Sequence, residues 1–110
     1  MPTYTYKNAR LAVGTSYSSA YTCPSGTQAV VAAVQGANVH ATNSVNASLQ
    51  WLDSSASNAA TRLVSALPVP VNDAQSLLAA PLVLEAGDAL QGMASATSSL
   101  ELSVSITEIT

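Results

Sequence analysis

The stretch Leu100-Glu101-Leu102-Ser103-Val104-Ser105-Ile106-Thr107 alternates large apolar and polar residues without a break. Successive side chains of a β-strand point to opposite faces, so the pattern predicts a strand with one face buried and one wet. A helix would scatter the same residues around its circumference. A strand this long needs sheet neighbours and a second layer to cover its apolar face. The nearest match upstream is Val45 to Trp51, where Val45, Ala47, Leu49 and Trp51 share one face and Asn46, Ser48 and Gln50 the other. The two apolar faces are expected to meet in the core, opposed or paired. Trp51, the only tryptophan, reads as the largest single piece of that core. Beyond Thr107 the alternation of apolar and polar residues lapses. Ile109 shares the parity of Ser103 and Ser105, so it should point away from the face that Leu102 and Val104 bury.

The rest of the chain reads as further short strands separated by turns. Tyr4 to Val13 is a strand with Lys7, Ala9, Leu11 and Val13 on one parity, closed by a turn at Gly14-Thr15-Ser16. Tyr17 to Cys23 is a short strand with Tyr17 and Tyr21 on one side, followed by the turn Pro24-Ser25-Gly26-Thr27. The apolar run Ala29-Val30-Val31-Ala32-Ala33-Val34, within Gln28 to Gln35, reads as a strand covered on both faces, and Gly36 to Ser44 as a loop. Asp53 to Asn58 reads as a hairpin loop and Ala60 to Leu67 as the returning strand. Pro68 and Pro70 mark an edge, bulge or crossing, because neither can donate to a ladder. Brief strands are expected at Gln75 to Ala79 and Pro81 to Leu84, a turn at Glu85 to Asp88, and a bulge near Gly92. Eight or nine strands with turns every eight to twelve residues or so define an all-β fold. We expect a single, mainly antiparallel β-sandwich, jelly-roll-like, spanning residues 1–110.

Composition narrows the function classes. Only three basic and six acidic residues occur among 110, or 8%, against a usual value of about 25%. A surface of Ser, Thr, Asn, Gln and Ala suits a subunit held inside an assembly, where charges would have to be desolvated; a Ser/Thr-rich free β-domain is the other reading. The only cations, Lys7, Arg10 and Arg62, form no cluster, which argues against nucleic acid and against anionic membranes. No apolar run of about 18 residues and no signal-peptide pattern occurs, so synthesis in a cytoplasm-like compartment is expected.

No catalytic, cofactor-binding or metal motif stands out, and we expect no enzyme activity. Cys23 is the sole cysteine and His40 the sole histidine, far apart in sequence. Cys23 reads as a small buried hydrophobe. Glu85 and Asp88 flank Gly87, where an aspartate commonly accepts from nearby main-chain N–H groups. Tyr4 and Tyr6 share one strand face, Tyr17 and Tyr21 another. With Ile109 these tyrosines are the candidate interface, since Tyr offers an apolar body and a polar tip. A carbohydrate-binding platform is the competing use of the same rings.

Several segments in order resemble a group of small structural proteins of tailed bacteriophages, including cyanophages and other marine phages. They are Tyr4-Thr5-Tyr6-Lys7-Asn8-Ala9, then Tyr21-Thr22-Cys23-Pro24-Ser25-Gly26-Thr27-Gln28-Ala29-Val30-Val31, Val69-Pro70-Val71, Pro81 to Leu90, and the terminal Ile106-Thr107-Glu108-Ile109-Thr110. The matching features are turn and strand grammar rather than catalytic signatures. The resemblance implies a virion component assembled in the host bacterial cytoplasm. Its expected form is an oligomer, with a trimer suggested by local three-fold positions on capsid lattices, that binds the major capsid protein as a decoration (cement) protein. Neck, collar or tail attachment, and a carbohydrate-binding module for host attachment, are the alternatives.

Overall fold

In the computed structural model, which describes residues 2–110, the Leu100 alternation is an interior strand of a five-stranded sheet, second from its edge. The strands in chain order are β1 (Tyr4–Val13), β2 (Ser18–Thr22), β3 (Gln28–Asn38), β4 (Val45–Asp53), β5 (Ala59–Val69), β6 (Ala74–Ser76), β7 (Leu82–Leu84), β8 (Ala89–Ala94) and β9 (Leu100–Ile109). One sheet runs β1-β9-β3, with β6 and β7 both pairing along the far side of β3. The other runs β2-β8-β4-β5, and every pairing is antiparallel. Consecutive strands repeatedly cross between the sheets. That is the arrangement of a jelly roll, and the all-β sandwich expected from the sequence is the fold.

The core is one cluster between the sheets. From β9 it takes Leu100, Leu102, Val104 and Ile106; from β4, Val45, Ala47 and Leu49. The two patterned strands therefore oppose each other in separate sheets rather than pairing. Their contact runs through a gap in β8. A Cβ on Gly92 would lie 2.5 Å from Leu102 Cδ1, so the missing side chain makes room for Leu102 to reach the opposite sheet. Gly92 continues the ladder with β4 in regular register. The bulge expected there lies instead on the neighbouring β2, between Ser19 and Tyr21.

Four other expectations change. Trp51 is half-buried at the sandwich rim, and Leu49, Leu77, Leu84, Leu90, Leu100 and Leu102 are the large enclosed side chains. The valine-rich strand is covered on one face only: Ala29, Val31 and Val34 are buried, Ala32 and Ala33 exposed, with a register shift between Val31 and Ala33. That strand also runs on to Asn38, because Gly36 and Ala37 pair with both β9 and β6. The ladder of β6 stops at Ser76, after which Leu77 turns into the core while its N–H still bonds Val34 O at 2.8 Å. Pro68 lies in β5, an outermost strand of its sheet, as its missing donor requires.

Candidate assembly interface

On β1 the inward phase is Lys7, Ala9, Leu11 and Val13, and the outward phase is Tyr4, Tyr6, Asn8, Arg10 and Ala12. Pairing places Tyr6 beside Thr107, Thr107 beside Val30 and Val30 beside Val83, one row across four strands of the outer face. The adjoining row is Tyr4, Ile109 and Gln28. Tyr6 is 83% exposed, Tyr4 59% and Val83 58%, while Ile109 is half-buried and in the outward phase expected for it. Both rows sit at one end of the five-stranded sheet. The rest of that face is Asn8, Ser105, Arg10, Ser103 and other small or polar groups.

Tyr17 and Tyr21 do not join this patch. Tyr17 is half-buried ahead of β2. The extra residue at Ala20 shifts Tyr21 into the inward phase opposite Leu90, so the shared side expected for the two rings is lost. Tyr21 instead donates its hydroxyl to Glu108 Oε2 at 2.5 Å, and Lys7 Nζ lies 3.2 Å from Glu108 Oε1. Glu108 keeps the inward parity of Leu102, Val104 and Ile106, so β9 alternates in burial to its end. Burial and the adjacent Glu108 carboxylate push the Tyr21 hydroxyl pKa well above its usual value. The hydrogen bond from Tyr21, opposed by desolvation and reinforced by Lys7, holds Glu108 below the usual carboxylate range. This cluster ties β1 and β9 of one sheet to β2 of the other. Sequence reading missed it, although Lys7 and Glu108 share inward parity on strands that pair.

The other polar centre is Asp88, hydrogen-bonded to Cys23 through the main chain. Asp88, fully buried, accepts from Ser54 N at 2.9 Å and Ser54 Oγ at 3.1 Å on Oδ1, and from Glu85 N at 3.0 Å and Trp51 Nε1 at 3.3 Å on Oδ2. Burial raises its pKa, but these donors outweigh burial and hold the carboxyl below its usual range. The local capping expected for Asp88 is present, extended to a second loop. Asp53, Glu85 and Asp88 present oxygens within 4.8 Å of one another. Asp53 is itself engaged, its Oδ1 accepting from Ser55 N and Ser55 Oγ at 3.1 and 2.7 Å. Asp88 thus fastens the β4–β5 loop to the β7–β8 turn, while Asp53 caps the β4–β5 loop itself.

The single thiol and single imidazole are likewise committed to local structure. Cys23 is buried and donates to Thr27 O at 3.3 Å, and burial raises its thiol pKa. His40 Nδ1 accepts from Thr42 N and Asn43 N at 3.1 and 3.0 Å. A depression of about 670 Å³, lined in part by Thr27, Gln28, Ser54, Glu85 and Ile109, opens beside the tyrosine end. Neither Cys23 nor His40 lines it.

No protein-family model matches the chain, and no curated protein matches it. Among solved structures it is similar to a Bacillus protein reported under the words "Bacillus endospore appendages form a novel family of disulfide-linked pili". The two share 8% identity at a TM-score of 0.58, over 98% of this chain and 86% of the other. At that identity the likeness concerns the fold.

Proposed function

We propose that the chain is a structural subunit that works by assembling: a virion accessory protein, with decoration of the head as its leading post and neck, collar or tail attachment as the runner-up. The observation that carries this reading is the aromatic end of the outer face, where Tyr4, Tyr6 and Val83 are exposed together on a protein with few charges. Such patches mark association surfaces. The sequence resemblance to small phage structural proteins selects the virion. The test is co-purification of the tagged chain with phage particles, alongside light scattering of the isolated chain. A chain that stays monomeric and never travels with particles would refute the reading.

A fibre subunit is the second reading, favoured by the likeness to the appendage protein. It would have to do without the disulfide linkage named for that protein. The single cysteine is 1% exposed and held under the Pro24–Thr27 turn, out of reach of another folded subunit. Negative-stain images of the concentrated chain separate closed oligomers from filaments. Host-glycan binding is weakened as a third reading, because Tyr21 is occupied by Glu108 and Tyr17 is half-buried, which leaves Tyr4 and Tyr6 as the exposed rings.

A further inference from the structure

Five strands form the four edges of the two sheets, and among the described residues three of these edges are blunted. β5 has Ala66 at a φ of 55° and Pro68 within the strand, with register shifts against β4. β2 is five residues long and bulged. β6 and β7 are three residues each, separated by a segment containing Pro81. These are the devices by which sheets avoid pairing with other chains. β1 has none of these three, and its one inward-phase charge, Lys7, is paired with Glu108. It is ten residues long, has no proline or positive φ, and pairs with β9 in unbroken register.

Which main-chain groups of β1 are free follows from the ladder. Thr3 and Thr110 exchange both N–H···O bonds, at 2.8 and 2.9 Å. Antiparallel pairs alternate, so Thr5, Lys7, Ala9, Leu11 and Val13 bond toward β9. Tyr4, Tyr6, Asn8, Arg10 and Ala12 therefore direct their N–H and C=O groups outward, and these same residues carry the outward-facing side chains.

We infer that this edge pairs antiparallel with the edge of a second copy, about a two-fold axis at Asn8. The inference rests on the assembling role proposed above and supplies its first contact. Asn8 is the midpoint of the outward set, so the register centred on it uses the whole edge, with about ten inter-chain main-chain hydrogen bonds. It sets Arg10 of each copy opposite Tyr6 of the other, a cation over an aromatic ring, on the same face. Asn8 meets Asn8, and Tyr4 meets Ala12. On the inward side Lys7 meets Ala9, and Lys7 is already neutralised by Glu108. A register centred on Lys7 or on Arg10 would instead place like charges opposite each other, which costs stability. The surface is thus self-complementary, as an isologous two-fold contact must be. The result is one continuous sheet across two sandwiches, with the tyrosine patches of both copies on its outer face.

Light scattering and cysteine cross-linking of the full chain test the pairing. The wild-type chain is expected to be a dimer, in place of the trimer that the resemblance suggests. Asn8→Pro removes only an outward N–H, so it should give a folded monomer, whereas Asn8→Ala should remain dimeric. Asn8→Cys should form a disulfide-linked dimer on mild oxidation, because Cα atoms of a hydrogen-bonded pair lie about 5.5 Å apart, within disulfide reach. Tyr6→Cys and Arg10→Cys should not, since equivalent residues off the axis are well separated. The cross-linking series stands even if Asn8→Pro fails to fold. Oligomers that survive Asn8→Pro and give no Asn8→Cys cross-link would overturn this contact while leaving the assembling role intact. A wild-type chain that is monomeric at its highest soluble concentration, yet loses particle binding on Asn8→Pro, would overturn self-pairing in favour of a foreign strand. A monomer that never binds particles removes the assembling role itself.

Discussion

Replacing Asp88 by alanine tests whether one carboxylate holds the rim of the sandwich together. The side chain is fully buried and accepts four hydrogen bonds, two from the main-chain N–H groups of Ser54 and Glu85. Truncation leaves those two donors without a partner. Each orphaned donor costs about 1–3 kcal/mol, and both are only partly screened from water, so the lower part of that range applies. Ser54 Oγ keeps its bond to Ala86 O at 3.0 Å, and Trp51 Nε1 can turn to solvent from its half-buried position. The sum is about 3 kcal/mol. That is a large share of the roughly 5–15 kcal/mol that holds a domain folded. It corresponds to a melting point lower by roughly 10–20 °C. Asp88→Asn should cost less, about 2 kcal/mol, since its amide keeps one acceptor oxygen but turns an NH2 toward donors. Urea unfolding measures both variants, with Trp51 fluorescence and far-UV circular dichroism as independent probes. The pH dependence adds a second check. The folded pKa of Asp88 is depressed, so its contribution is present above the ordinary value of 3.8 and is lost as pH falls through the lower folded value. The gap between wild type and Asp88→Asn should therefore narrow on acidification below that point. A cost under about 1 kcal/mol at neutral pH, or a gap that does not narrow, would refute the assignment.

Excess calcium or a chelator should leave the wild-type melting point unchanged, because both aspartates near Glu85 are already engaged; a calcium-induced rise of several degrees would show the carboxylates acting as ligands instead. Gly92→Ala should cost about 1–3 kcal/mol in chemical denaturation by driving a methyl into Leu102, while Gly14→Ala, with open space around it, should cost almost nothing. Tyr21→Phe should raise the pH at which the fold is lost in acid, since Glu108 loses the hydrogen bond that depresses its pKa. In wild type, the raised Tyr21 pKa should give an alkaline decline in stability that begins near pH 10.0 and is absent from Tyr21→Phe. Deleting Glu108 to Thr110 should reduce folding stability as well as assembly, because Glu108 bridges the sheets and Ile109 pairs with Tyr4 and Gln28. Ile109→Ser and Tyr6→Ala are the variants that should weaken assembly, read by light scattering, with little change in melting point.

What the sequence made legible was whatever period-2 alternation can encode. Leu100 to Ile106 and Val45 to Leu49 could each be assigned a buried face because each strand repeats its choice several times, and a repeated pattern fixes a face, while opposition rather than pairing of the two came from the sheet order. Single irregularities have no such redundancy. The extra residue at Ala20 leaves no compositional mark, yet it rotates Tyr21 from an outward position to the one that meets Glu108. The bulge expected near Gly92 is absent, since Leu90 and Met93, three residues apart on a regular strand, simply take opposite faces. The small residue was required by Leu102 from the other sheet, a contact no local window contains. The valine-rich run misled for a related reason. Its apolar outer face implies a cover, and among the described residues none lies over Ala32 and Ala33, which are exposed. The polar centres were half-visible. Asp88 after Gly87 announced a capping aspartate, but its second loop, at Ser54, is thirty-four residues away. Lys7 and Glu108 each sat in an inward phase, and only the pairing of β1 with β9 turns two apparent pattern errors into one neutral pair. The same pairing leaves the N–H and C=O groups of Tyr4, Tyr6, Asn8, Arg10 and Ala12 facing outward. Those residues share both a free edge and an exposed aromatic face, so assembly through β1 would use the part of the fold where main-chain bonding and side-chain burial are both incomplete.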